Sequence, residues 1–134
     1  MKQHLIALAI ASTCFAAVGT ANAMSKEEYN AGKQKIEADH KAAKAQCDTL
    51  KDNAKDVCMK EADGKEDVAK AELEAQYKPS AAHTRKVAEE KAEMTYEVAK
   101  EKCDDMNGDA KNACVDQAKA DHAKAKADIK AMKS

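Results

Sequence analysis

The chain has 134 residues, with 23 Lys and Arg against 24 Asp and Glu, for a formal net charge of −1 at pH 7. That balance gives no overall pull toward nucleic acid or anionic lipid. With no Trp, one Phe and three Tyr, it also lacks the aromatic platforms on which nucleobases stack.

Residues 1–23 read as a secretory signal peptide. Lys2 supplies a positive start, residues 5–18 (LIALAIASTCFAAV) an apolar core, and Ala21-Asn22-Ala23 a small-x-small cleavage site. The run is too short and wrongly flanked for a membrane anchor. A lipoprotein would need Cys14 as its lipidated residue, and the preceding Ala11-Ser12-Thr13 matches that signal poorly. Cleavage after Ala23 removes only one charged residue, Lys2, and sends the mature chain to the periplasm.

Large aliphatic residues are sparse in the mature chain, while Ala, Lys and Glu abound. Low hydropathy can signal disorder, but the near-zero net charge and strong helix propensity point instead to helices. The core of such a chain is thin, because alanine seams bury little area per residue.

Helices are predicted at about 26–50, 54–77, 82–106 and 110–132 from the 3.6-residue rhythm. In the first, Tyr29, Ile36, His40, Ala43, Cys47 and Leu50 advance by sevens, fours and threes along one stripe. Lys51-Asp52-Asn53 is a weak turn, with Asn53 as the expected cap. The second helix continues through Cys58, Ala62, Ala69 and Leu73, with Gly64 alone in its middle. Pro79, the single proline, makes KPSAAHT the natural connector. Ala92, Tyr96, Ala99, Cys103 and Met106 then repeat the stripe. Asn107-Gly108-Asp109 is a stronger turn, Gly108 adopting left-handed backbone and Asp109 capping the last helix.

The chain is thereby divided into a first unit at 24–78, a linker at 79–84 and a second unit at 85–134. The two units align at an offset of 56: Cys47, Asp48, Leu50, Ala54, Lys55 and Cys58 fall on Cys103, Asp104, Met106, Ala110, Lys111 and Cys114. The expected fold is all-α: two tandem disulfide-clamped helical hairpins in an antiparallel four-helix arrangement. If the weak first turn were helical, residues 26–77 would instead form one rod on the order of 80 Å long.

Four cysteines remain after cleavage, an even number in an exported chain. Cys47 and Cys58 flank the first turn symmetrically, Cys103 and Cys114 the second. Pairing within each hairpin is therefore favoured, and each closed loop of about a dozen residues is worth roughly 3 kcal/mol in the chain-entropy model. Cross-pairing of Cys47 with Cys114 and Cys58 with Cys103 remains open and would suit continuous helices. Metal or redox chemistry competes for the same residues, since Met59, Met106, His40, His83 and His122 could add soft or imidazole ligands. Ten intervening residues do not match zinc spacing, and no CxxC pair exists. Met106 stands where the other unit has Leu50, which reads as packing, and His40, aligned with Tyr96, reads as a half-buried seam residue. No metal or cofactor is expected.

No phosphate loop, nucleophile elbow or HExxH is present, so the chain is not expected to be an enzyme. The last helix carries Lys111, Lys119, Lys124, Lys126, Lys130 and Lys133 against Asp116, Asp121 and Asp128, a mild basic stripe. Such a stripe is either a solvated face or a contact for an anionic partner.

The paired CDxLxxxAKxxC segments, with ELEAQYKPSA between them, resemble small uncharacterised exported proteins of Gram-negative bacteria. In composition these are similar to the helical region of TolA-type cell-envelope proteins, although no transmembrane anchor or C-terminal globular domain of that type is seen in the sequence. The resemblance implies a non-enzymatic periplasmic protein with a structural or interaction role at the envelope, its partners being proteins or envelope components. A stress-related holdase or a metal buffer is the alternative.

Overall fold

The computed structural model describes residues 23–132. The expected signal peptide, with Cys14 inside it, lies outside the described residues except for Ala23. Four helices follow in chain order: α1 (Lys26–Cys47), α2 (Asp52–Tyr77), α3 (Ala81–Lys102) and α4 (Gly108–Ala131), with a 3-10 turn at Cys103–Asp105 before α4. No strand occurs among the described residues, and the expected all-α, antiparallel four-helix class is the one that forms. The chain reverses between α1 and α2, so the single-rod alternative for residues 26–77 is not adopted.

Local chemistry sets the helix ends. Ser25 and Glu28 form a capping box: Ser25 Oγ accepts from the Glu28 N–H at 3.1 Å, and Glu28 Oε2 accepts from the Ser25 N–H at 2.7 Å. These bonds, led by the one from the Ser25 backbone, hold the Glu28 carboxyl below its ordinary pKa. Ser80 caps α3 by accepting from the His83 N–H at 3.1 Å, and the His83 ring meets the Lys78 carbonyl. Because this cap starts the helix at Ala81, residues 81–84 of the expected 79–84 linker are helical. Only Lys78–Ser80 connects α2 to α3.

The other two turns differ from expectation in their caps. Lys51 and Asn107 occupy the N-cap positions of α2 and α4, and neither makes a side-chain cap bond. Asn53 instead donates through Nδ2 to the Glu101 carbonyl at 3.0 Å. That carbonyl belongs to the last turn of α3, where backbone acceptors have no helical partner. The bond therefore joins the first turn to the end of α3. Backbone with positive φ falls at Asp52 (52°) and Gly108 (56°), which are equivalent positions at the offset of 56. Gly108 takes that conformation freely; Asp52 takes it at a steric cost.

Packing follows chain order: α1 lies on α2, α2 on α3, and α3 on α4, with the most extensive interface between α2 and α3. Two close contacts define the geometry. A Cβ at Gly32 of α1 would lie 2.7 Å from Leu73 Cδ1, and one at Gly64 of α2 would lie 2.3 Å from Met94 Cγ of α3. The lone Gly64 is thus the residue that lets α2 and α3 approach. Leu73 and Gly64 are nine residues apart, about half a revolution at roughly 100° per residue, so α1 and α3 flank α2 on opposite sides. On α3, Met94 faces α2, while Tyr96, about 200° further round, stacks on His122 of α4 with ring centroids 4.4 Å apart. The four helices therefore form an open layer, with no extended α1–α4 interface among the described residues.

An open layer buries little. The buried residues are Cys47, Ala62, Val68, Ala71, Leu73, Cys103, Ala118 and Ile129, and of these only the two cysteines are fully enclosed. Helix α3 has neighbours on both sides, yet none of its residues is buried.

The matched left-handed positions give opposite expectations for matched substitutions. Asp52→Gly should stabilise the protein by about 0.5–1 kcal/mol, and Gly108→Ala should destabilise it by about 1 kcal/mol. Nothing lies within 4 Å of a Cβ built at Gly108, so that loss would be conformational and not a clash. Urea denaturation of the two variants measures both signs.

Candidate functional site

Both turns that join helices within a hairpin are closed by sulfur. Cys47 is bonded to Cys58 and Cys103 to Cys114, with Cα separations of 5.4 and 5.7 Å. All four sequence-expected cysteines are thereby placed in the within-hairpin pairing, and cross-pairing is not formed. Cys47 and Cys103 are the most enclosed side chains of the fold, so each clamp sits in the best-packed part of its hairpin. Beyond the clamps, Leu50 and Met106 are 42% and 44% exposed. Their equivalence reads in the sequence as packing; in the structure both project from the turns, because helix and stripe end at Cys47 and Lys102.

A second cluster lies on the α1–α2 seam. His40 Nε2 contacts Asp63 Oδ1 at 2.7 Å, and Nδ1 contacts Glu66 Oε2 at 3.3 Å. Lys44 approaches Asp63 at 3.6 Å, and Lys70 approaches Glu66 at 2.9 Å. Partial burial pushes the Asp63 carboxyl up, but the His40 hydrogen bond and the Lys44 and His40 charges outweigh it and hold it below the ordinary range. The two carboxylates engage opposite nitrogens of one ring, so all three groups cannot converge on a single ion. Among the described residues, no group of three His, Cys, Asp or Glu side chains is arranged to hold a metal. The neighbouring groove is lined by Ile36, Ala43, Ala62 and Ala69, without a hydroxyl or thiol.

At the offset of 56, His40 and Glu66 correspond to Tyr96 and His122. These also meet across their hairpin, by stacking, while His122 Nε2 lies 3.0 Å from Glu93. At the open end of the first hairpin, Tyr29 stacks on Tyr77 at 4.4 Å and donates its hydroxyl to Glu74 Oε2 at 2.6 Å. That hydrogen bond raises the Tyr29 pKa and lowers that of Glu74. His83, the third expected imidazole, serves the α2–α3 connector.

The layer has two unlike faces. On one, the α1–α2 groove continues through Lys65 into a groove of Met94, Val98 and Ala99, and then through Thr95 into one lined by Ala88, Ala92, Ala118 and Ala125. The opposite face carries more charge: a groove with Lys33, Glu37, Asp67 and Lys70 beside Tyr29, Ala71 and Leu73 runs through Lys86 and Glu90 into a second one containing Arg85, Lys126 and Lys130. Sequence periodicity locates the seams but not these faces, because which residues flank a seam on the same side depends on how α2 and α3 are rotated together. No protein-family model, curated protein or solved structure matches the chain.

Two measurements test these clusters. Replacing Cys103 and Cys114 by Ser should cost roughly 3 kcal/mol in denaturant unfolding, and non-reducing peptide mapping should recover Cys47 linked to Cys58. The Tyr29–Glu74 bond requires a protonated phenol and an ionised carboxylate. Depression of the Glu74 pKa contributes stability above its ordinary value of 4.5, lost as pH falls through the folded value; elevation of the Tyr29 pKa contributes below 10.0, lost as pH rises through its folded value. Tyr29→Phe should therefore lower the melting temperature most between those limits, with the deficit shrinking in acid and in alkali.

Proposed function

We propose that the mature chain is an exported, non-enzymatic periplasmic helical protein that works by contact with other proteins or envelope components. The observation that carries this reading is α3: a helix flanked on both sides, with no buried residue, whose Met94, Thr95, Val98 and Ala99 line an open groove. A surface of shallow, small-residue grooves with a charged rim suits docking of another macromolecule better than enclosure of a substrate. The two disulfides support an oxidising compartment. Among the described residues no helix is long and apolar enough to cross a membrane.

A holdase is the second reading, and the exposure of Leu50 and Met106 on two clamped turns favours it. A thiolate metal buffer is disfavoured, because all four cysteines are engaged as disulfides.

A photo-crosslinking residue placed at exposed Thr95 or Lys91 should give discrete adducts in intact periplasm, whereas one at Asp67 on the charged face should give few. Absence of a reproducible adduct from either α3 position would remove the contact reading. The holdase reading predicts suppressed aggregation of an unfolding client, and loss of that suppression in Leu50→Ser/Met106→Ser.

A further inference from the structure

Three lysines of the basic stripe on α4 are neutralised within the fold. Lys111 pairs with Asp104 at 2.8 Å, Lys119 with Asp116 at 3.5 Å and Lys124 with Asp128 at 2.8 Å. Lys126 and Lys130 are different. Among the described residues, neither they nor Arg85 of α3 has a carboxylate oxygen within the 4.0 Å of an ion pair. All three line one groove of about 620 Å³ between the first half of α3 and the last half of α4.

The carboxylates of the groove do not offset them. Glu90 is taken by Lys86 at 2.6 Å and Glu93 by His122 at 3.0 Å, which leaves Glu89 as the one lining carboxylate, among the described residues, without an ion-pair partner. Three cations without an ion-pair partner face one such carboxylate; over all the lining groups, with His122 neutral, four positive charges stand against three negative, a surplus of one.

Arg85 is the single arginine of the described residues, and it is half-buried. Among the described residues nothing occupies its donors: no side-chain nitrogen is buried without a partner, so the unbonded guanidinium keeps its nitrogens in contact with the solvent of the groove. Arginine is the side chain suited to gripping two oxygens of one anion, and lysine supplies point charge beside it. Ala82, exposed at the start of α3, and the small uncovered edge of Ile129 are the apolar part of the same groove.

We infer that this groove binds a phosphate group, with Arg85 holding two of its oxygens and Lys126 and Lys130 completing the charge. A phosphomonoester carries about −1.5 to −2 at pH 7, a charge that the three unpaired cations can contact directly. The phosphate is either free or carried by an amphiphile whose apolar part lies on Ile129 and Ala82. This goes beyond the contact reading, since the groove opens on the charged face; its failure would leave adducts at Thr95 unaffected.

The test is titration of the folded mature protein at low ionic strength, followed by calorimetry and by amide shifts in two-dimensional NMR. The probes are inorganic phosphate, dihexanoyl phosphatidic acid and, as the zwitterionic comparator, dihexanoyl phosphatidylcholine. Expected are shifts in the groove amides with the first two probes and binding about tenfold weaker or less for the third. Equal affinity for the first two identifies free phosphate as sufficient; tighter phosphatidic acid identifies the amphiphile. Arg85→Gln and Lys126→Gln/Lys130→Gln should each weaken binding by about tenfold or more. The charge-matched Lys119→Gln/Lys124→Gln, which alters only paired lysines, should leave it within about twofold. Equal loss in both double variants would reduce the effect to general charge and overturn the site. Groove amides unmoved by either phosphate probe would overturn it as well.

Discussion

Scarcity of large apolar side chains is the constraint on which this fold depends. Helices that carry alanine at their contacts gain little from each buried residue, so they must either approach closely or be tied covalently. Both solutions are present. Gly32 admits Leu73 and Gly64 admits Met94, bringing neighbouring backbones together where a methyl group would collide. The disulfides then restrict the unfolded chain at the two within-hairpin turns, where capping side chains are missing. The connector between α2 and α3 has no disulfide, but it has Pro79, the Ser80 cap and the more extensive α2–α3 interface.

The same scarcity shapes the surface. A closed four-helix bundle needs a shared central core with a large apolar residue from each helix in every layer. Here contacts on α2 and α3 lie on opposite sides of each helix, so the layer stays open and both faces reach solvent. Side chains that would fill the middle of a bundle become the walls of grooves instead. Met94, Val98 and Ala99 are neither buried nor scattered; they are gathered between charged rims. It is on this face that the proposed contact role rests.

Electrostatics divide the molecule further. Most lysines are held near a carboxylate on the same or an adjacent helix, and such exposed pairs contribute only a few tenths of a kcal/mol each. Their value is in arrangement: by consuming charge elsewhere, they leave the α3–α4 groove as a place where cations converge without partners. Tyr29 with Glu74, and His40 with Asp63 and Glu66, consume polar groups at the α1–α2 seam in the same way.

Much of this architecture was legible in the linear sequence. Helical rhythm, the break at Pro79 and the symmetry of each cysteine pair about a turn are local properties, governed by backbone preference and by separations of a dozen residues or fewer. The Ser25–Glu28 capping box was equally legible as S-x-x-E, and it is a local feature too. What periodicity could not give was rotation of one helix against another. Gly64 stands alone in the middle of α2, and only the packing of Met94 against it gives it a role. Leu50 and Met106 looked like packing residues, yet they lie past the last helical turn, where the stripe no longer points at a neighbour. Arg85 and Lys126 are 41 positions apart and share no motif; only the antiparallel seam between α3 and α4 brings them to one groove. Local propensity fixes which segments are helical and where they turn, whereas the close approaches, the open layer and its two faces depend on side-chain shapes meeting across helices, which no spacing along the chain records.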